Sequence, residues 1–127
     1  MRLLGIDYGA KRVGFALSDE TSTIATPLLV FRNDSSLIPH VLALVKKHEI
    51  SAVVLGASYN YQGEKNPIMK AIEAFQQKLM DATKLPVHLE TEVLTSVQAA
   101  RHETNRELRD ASAAALILQS HLDRTKA

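Results

Sequence analysis

The chain has 127 residues, of which 46% are hydrophobic and 23% are charged, and it contains no cysteine. This length predicts one domain, and the lack of cysteine excludes disulfide scaffolds, thiolate catalysis and zinc sites built on sulfur. The net charge of +1 excludes a global field that would attract nucleic acid, so any such partner must be held by a local patch.

The apolar segments are short. The stretch from Ala111 to Leu118, among the longest of them, falls well short of the roughly 20 residues that a membrane span needs. The N-terminus reaches Asp7 before an apolar signal region could form. We therefore expect a cytoplasmic protein that does not cross a membrane, with a single domain over residues 1–127.

Three β-rich segments open the chain. Arg2 to Tyr8 and Val13 to Ser18 predict two strands, and the connection from Gly9 to Arg12 between them suits a hairpin. Thr23 to Phe31 predicts a third strand, and Pro27 favours an edge position for it because proline cannot donate to a sheet ladder. The chain is therefore expected to begin with an antiparallel meander.

Helices and strands alternate in the rest of the chain. Ser35 and Ser36 can cap a helix that ends near His48. The order of all the elements predicts a mixed sheet with helices on both faces. The later predicted elements are a strand over Ser51 to Gly56, an amphipathic helix over Pro67 to Ala82, a strand over Pro86 to Thr91, a helix over Thr95 to Glu103 and an alanine-rich helix over Asp110 to Arg124.

Carboxylates stand at the ends of several predicted elements. Asp7 lies at the end of the first strand, Glu90 and Glu92 lie at the end of the last one, and Asp110 opens the final helix. Mg²⁺ and Mn²⁺ prefer oxygen ligands, and phosphodiester cleavage by two metal ions uses carboxylates of this kind. Small alanines on the same face of the final helix as Asp110 would let that helix approach the sheet closely.

Each carboxylate also has a simpler explanation. Asp7 precedes Tyr8 and Gly9 and is a good turn former. Asp110 is equally suited to cap a helix or to favour its N-terminus by charge. Glu92 by itself is typical of a solvated loop.

The first strand and its hairpin carry a specific motif, LLGIDYGAKRVGFALSD, from Leu3 to Asp19. This string resembles the opening of the YqgF family of RuvX-like proteins, described both as Holliday junction resolvases and as pre-16S rRNA nucleases. Glu92, Leu94 and Thr95 resemble the D-E-R-L-T-T segment of that family, and the stretch from Asp110 to Asp123 is similar to its C-terminal helix. Length and element order agree over the whole chain.

The resemblance implies an α/β fold of the RNase H-like kind, a mixed five-stranded sheet in the order 3-2-1-4-5 with strand 2 antiparallel, flanked by helices. It also implies a nuclease in which Asp7, Glu92 and Asp110 hold Mg²⁺ or Mn²⁺ in a two-metal site. The substrates it implies are the 5′ end of pre-16S ribosomal RNA or, alternatively, branched DNA such as a Holliday junction. We expect a monomer or a weak dimer.

The sequence departs from the family pattern near the expected site. Thr91 and Val93 stand where the D-E-R-L-T-T segment has Asp and Arg, and Gln62 stands at the Asp position of the G-L-P-x-x-x-D-G loop. Glu90 lies two residues before Glu92 on a strand, so the two would share a face and compete for one role. These departures favour, as an alternative, a nucleic-acid or ribosome-associated binding protein with weakened catalysis.

Candidate substrate contacts surround the expected site. Lys11 and Arg12 follow Asp7 on the hairpin and suit phosphate contacts, although a solvated hairpin tip is the simpler explanation. Tyr59 and Tyr61 could stack on an unpaired base, which is typically worth about 1–3 kcal/mol, or cover the edge of the sheet. The remaining candidates for nucleic-acid binding are Thr95 and Arg101, and for Arg101 a surface ion pair is the simpler outcome.

Overall fold

The computed structural model describes residues 1–59, 62–91 and 106–125. In chain order its elements are β1 (Arg2–Tyr8), β2 (Arg12–Ser18), β3 (Ala25–Arg32), α1 (Leu37–His48), β4 (Ile50–Gly56), α2 (Met69–Thr83), β5 (Val87–Glu90) and α3 (Arg106–Thr125). The helix predicted over Thr95 to Glu103 lies outside the described residues.

The described strands form one five-stranded sheet in the order β3-β2-β1-β4-β5. β2 runs antiparallel to both of its neighbours, whereas β4 runs parallel to β1 and to β5. The predicted order and directions are confirmed. β3, which carries Pro27, lies at an edge as expected, because one side of an edge strand needs no ladder N–H.

The turn before β3 makes that strand start at Ala25 instead of the predicted Thr23. The Thr21 hydroxyl donates a hydrogen bond to the Asp19 carboxylate, as do the backbone N–H groups of Thr23 and Ile24. These hydrogen bonds lower the pKa of Asp19 to about 2. Thr23 and Ile24 therefore belong to a turn built around one carboxylate, which holds their N–H groups away from the ladder.

Helix starts differ most from the predictions. Ser36 stands at the N-cap of α1, but its hydroxyl donates to the Asp34 carboxylate instead of capping the helix. α3 begins at Arg106, so Asp110 lies inside the helix; the expectation that it opens the helix, and the alternative that it caps it, are wrong. The residues from Arg106 to Arg109 are strong helix formers and extend the helix backwards.

Helices cover both faces of the sheet, as predicted. α1 and α2 pack against one face through large apolar side chains. α3 covers the other face, where the fully buried Ala113 and Ala114 precede larger buried residues such as Leu118. None of the helices described is long and apolar enough to cross a membrane. The large apolar residues on the first face include Leu4, Ile6, Val13, Phe15, Val53 and Leu55 of the sheet and Val41, Ile72, Phe75 and Leu79 of the helices.

Glycines in the sheet allow α3 to lie close to it. A Cβ built on Gly5 would come within 2.7 Å of the Cβ of Leu118, and one built on Gly14 would come within 2.1 Å of the carbonyl oxygen of Asp110. Real Cβ atoms do not make such contacts, so only glycine fits at these positions. The close helix–sheet approach predicted from the alanines of α3 is confirmed, and glycines in the sheet contribute the other half of it.

Candidate active site

Asp7 lies on the central strand, next to the carboxyl end of β1. Alternate residues of a strand share a face, so its side chain projects to the same face as Gly5, the face covered by α3. Only 9% of Asp7 is exposed. Aspartate is seldom buried to this degree in the interior of a domain, and the position gives the carboxylate a fixed place beneath α3.

Gly14 brings Asp110 to Asp7. In the ladder between β1 and β2, Gly14 lies directly opposite Asp7. The backbone of Asp110 rests on Gly14 so closely that no larger residue would fit there. Two acidic residues from opposite ends of the chain therefore lie near each other on one face of the sheet, at the carboxyl edge of its central strand.

Arg12 connects the hairpin to α3. Its Nε donates a hydrogen bond of 2.9 Å to Oδ2 of Asp110, and the two side chains are 32% and 15% exposed. Arg12 is therefore an ion-paired residue of the site and not the solvated hairpin residue that its sequence position allows. Lys11, the preceding residue, is exposed on the connection between β1 and β2.

The donor set at this edge fits a hard divalent cation. Asp7 and Asp110 offer carboxylate oxygens, which Mg²⁺ and Mn²⁺ prefer. Within the described parts of the chain no group of three or more His, Asp or Glu could hold a metal ion, and the third expected ligand, Glu92, lies outside them. The guanidinium of Arg12 supplies the positive charge beside Asp110 that a bound cation would also supply.

Glu90 is held in a different set of interactions. It is 2% exposed and accepts hydrogen bonds from Nε and Nη2 of Arg124, at 3.2 Å and 2.9 Å. Nδ1 of His121 lies 3.5 Å from the same carboxylate oxygen. Because its charge is already neutralised by a guanidinium of α3, Glu90 is a structural residue that ties the end of β5 to the last turns of α3, and we do not assign it the role of Glu92.

His121 completes this buried cluster. Burial lowers its pKa, and the neighbouring His88, whose ring centroid lies 5.3 Å away, and the guanidinium of Arg124 act in the same direction. Glu90 raises the pKa of His121 but does not cancel these three effects. The cluster therefore favours a neutral His121 beside an ion pair.

The other predicted contact residues divide into two groups. Tyr59 follows β4 in a half-buried position and pairs with Lys65 in an isolated antiparallel bridge. This position does not distinguish between its two predicted roles, base stacking and covering the edge of the sheet, and both stay predictions. The remaining candidates, Tyr61, Thr95 and Arg101, lie outside the described residues, as does Glu92.

Two residues of this region were not singled out from the sequence. Gly14 carried a usable signal, because glycine inside a strand often marks the close approach of another backbone. Arg32, directly opposite Arg12 in the ladder between β2 and β3, carried none. Its neighbour across the sheet depends on a register that is known only once the strands are paired.

Comparison with known proteins places the chain in a sequence family. The RuvX family, described as "Holliday junction resolvase", matches residues 1–124. A protein of Caldanaerobacter subterraneus subsp. tengcongensis named "Putative pre-16S rRNA nuclease" is 34% identical over 137 aligned positions, covering 99% of each chain. A protein of the same name from Crocosphaera subtropica is 36% identical and covers 98% of this chain and 94% of its own length.

Solved structures support the fold. The chain superposes on RuvC of T. thermophilus in complex with a Holliday junction substrate with a TM-score of 0.64 and 17% identity, covering 98% of this chain and 94% of that one. The fowlpox virus Holliday junction resolvase gives a TM-score of 0.57 at 14% identity, covering 99% and 100%. The RNase H-like sheet expected from the sequence is confirmed.

Proposed function

Because the chain belongs to the RuvX family, we propose that Asp7 and Asp110, together with Glu92, form the centre of a metal-dependent nuclease. The observation that carries this proposal is that the backbone of Asp110 rests on Gly14, directly opposite Asp7, at the carboxyl edge of the central strand. Asp110 lies inside α3 and is therefore not its N-cap, and Asp7 is paired within the ladder between β1 and β2. Mg²⁺ at a phosphodiester is usually held by one or two carboxylates of the protein together with phosphate oxygens and water.

The proposed substrate is the 5′ end of pre-16S ribosomal RNA. The relatives described above are named for pre-16S rRNA, and the chain matches them over nearly their whole length. Such a role would place the protein in the cytoplasm. The description of the family favours a second candidate substrate, a four-way DNA junction. Both are phosphodiesters, so the same carboxylates would serve either one.

The chain's own groups would have separate tasks. A bound Mg²⁺ or Mn²⁺ would supply Lewis-acid charge at the scissile phosphate. Asp7, buried beneath α3, would hold its carboxylate in one orientation. Asp110, whose side chain is 15% exposed, would be a second ligand of that cation, and the guanidinium of Arg12 beside it would be placed to bind a phosphate oxygen.

The departures from the family pattern bear on the rate. Thr91 and Val93 remove one acidic and one cationic group that would support the ligands or the phosphate. Supporting groups of this kind typically change affinity or activity by about 10- to 100-fold. We therefore propose a slow nuclease. Binding of nucleic acid without any cleavage would support the alternative, a protein that kept the fold for binding alone.

The test is a cleavage assay on labelled single-stranded RNA, duplex RNA and a four-way DNA junction, each with Mn²⁺, Mg²⁺ or EDTA. The parent is compared with Asp7→Asn and with Asp81→Asn, a matched control that removes an exposed carboxylate from α2. We expect metal-dependent cleavage that Asp81→Asn retains and that Asp7→Asn loses by more than about 100-fold. An Asp7→Asn protein that cuts as fast as the parent would contradict the mechanism.

A further inference from the structure

A groove at the end of β3 adjoins the candidate active site. It has a volume of about 570 Å³, and its polar lining consists of Lys11, Arg12, Arg32 and Asn33. Three of these residues are cationic and none of the lining residues is acidic. We propose that this basic groove binds the sugar–phosphate backbone of the strand to be cut, an inference that rests on the proposed nuclease function.

The pairing of arginines across the sheet is the first observation behind the proposal. Arg12 and Arg32 lie directly opposite each other in the ladder between β2 and β3, so their side chains project to the same face. Like charges in directly opposite positions destabilise a sheet. The charge of Arg12 is balanced by its ion pair with Asp110. Arg32 is exposed, and Asp34 is a nearby acid that acts on it. The carboxylate of Asp34 already accepts a hydrogen bond from the backbone N–H of Ser36. An anion between the two arginines would turn this repulsion into attraction.

Hydrogen bonds that connect the backbone segments of the groove are the second observation. The backbone N–H of Asn33 donates to the carbonyl of Lys11 at 2.9 Å, and its side-chain Nδ2 donates to the carbonyl of Gly9 at 2.8 Å. Asn33 therefore fastens the hairpin between β1 and β2 to the end of β3. A backbone that is already connected in this way loses little further conformational freedom when an anion binds to its side chains.

The position of the groove is the third observation. Arg12 belongs both to the groove and, through Asp110, to the candidate active site. A strand that contacts Lys11 and Arg32 therefore passes the arginine that lies on a proposed metal ligand. The chain as a whole carries only +1, so a local row of cations is the feature on which phosphate binding would depend.

The proposal is tested by fluorescence anisotropy in EDTA over a range of NaCl concentrations, with labelled single-stranded RNA, single-stranded DNA and duplex DNA as probes. Arg32→Gln is compared with Lys78→Gln, which removes the same charge from an exposed position of α2 on the other face of the sheet. We expect Arg32→Gln to weaken binding several-fold. It should also lower the salt slope by about 0.7 on single strands or about 0.9 on a duplex. Lys78→Gln should leave both close to the parent.

Thermal unfolding separates binding from folding. Removing one of two opposed arginines should leave the Tm of Arg32→Gln unchanged or raise it. A Tm that falls together with the affinity would give Arg32 a structural role and overturn the proposal. Equal affinity and equal salt slope for Arg32→Gln and the parent on every probe would overturn it as well.

The two proposals fail in different ways. If Arg32→Gln binds more weakly but the parent cuts none of the substrates with Mn²⁺, the groove proposal is supported and the nuclease proposal is contradicted. If Arg32→Gln binds like the parent while cleavage depends on Asp7, the nuclease proposal is supported and the groove proposal is contradicted.

Discussion

Both ends of α3 are tied to the sheet by an ion pair between an acid and an arginine, but the two pairs are built in opposite directions. At the first end the helix supplies the acid, Asp110, and the sheet supplies Arg12, with side-chain exposures of 15% and 32%. At the second end the sheet supplies Glu90, whose side chain is 2% exposed, and the helix supplies Arg124. The acid at the first end is therefore the more accessible of the two.

The surroundings make the same distinction. The backbone of Asp110 rests on Gly14, which lies directly opposite a second acidic residue, Asp7, in the ladder between β1 and β2. Glu90 lies beside His121 and beneath a guanidinium, among groups that already satisfy its charge. The first arrangement is suited to the reversible binding of a cation, and the second is suited to fixing the end of a helix.

The largest effect is expected from breaking the contact at the first end with Gly14→Ala. The new Cβ would meet the backbone carbonyl of Asp110, which cannot move without shifting α3, and we expect a loss of about 3 kcal/mol in the free energy of unfolding. Gly56→Ala is the matched control, since its Cβ meets Cδ1 of Ile117, the flexible end of a side chain, and should cost about 1 kcal/mol. Urea denaturation measures both, and equal losses would contradict the comparison.

Removing each arginine should show which ion pair is structural. Arg124→Gln leaves the buried Glu90 without its guanidinium, and we expect unfolding to become easier by about 2–3 kcal/mol. Arg12→Gln leaves the more accessible Asp110, which water can solvate, so the expected loss is below about 1 kcal/mol. The same denaturation curves decide the order, and a larger loss for Arg12→Gln would reverse our assignment of the two ends.

Divalent cations should act on the first end alone. At ten times its Kd, Mn²⁺ should stabilise the parent by about 1.4 kcal/mol, read as a rise in Tm. Asp110→Asn should lose this rise, because it removes a proposed ligand. Glu90→Gln should keep it, although its Tm without metal will be lower. A full response to Mn²⁺ in Asp110→Asn would argue against a metal site at this edge.

The smallest effect is expected from pH, and it belongs to the second end. The pKa of His121 is lowered in the folded protein from its ordinary value of 6.5, so the unfolded chain binds the proton more readily. The stability that depends on a neutral His121 is therefore complete above pH 6.5 and is lost as the pH falls below it. His121→Gln should flatten this part of the stability profile, measured by thermal unfolding at a series of pH values. An unchanged slope would remove His121 as its cause.

Much of the fold could be read from short segments. The hairpin over Arg2 to Ser18 and the edge position of Pro27 follow from local patterns, and the structure confirms both. The start of α3 could not be read correctly, because Asp110 is a good N-cap residue by type and the helix-forming residues before it outweigh that preference. A cap is decided by where the whole helix begins, which depends on its packing against the sheet.

By itself, the sequence determined the order of the elements, the small-residue face of α3 and the carboxylates Asp7 and Asp110 as candidates for one site. Only the tertiary structure decided that Arg12 lies on Asp110, that Glu90 is bound to Arg124, and that Arg32 stands opposite Arg12. Hydrophobic periodicity and turn residues act over a few neighbours and can be read along the chain. Contacts between residues far apart in the chain depend on strand register and on how closely a helix rests on a glycine. Both are defined only when the strands pair and the helix packs on the sheet.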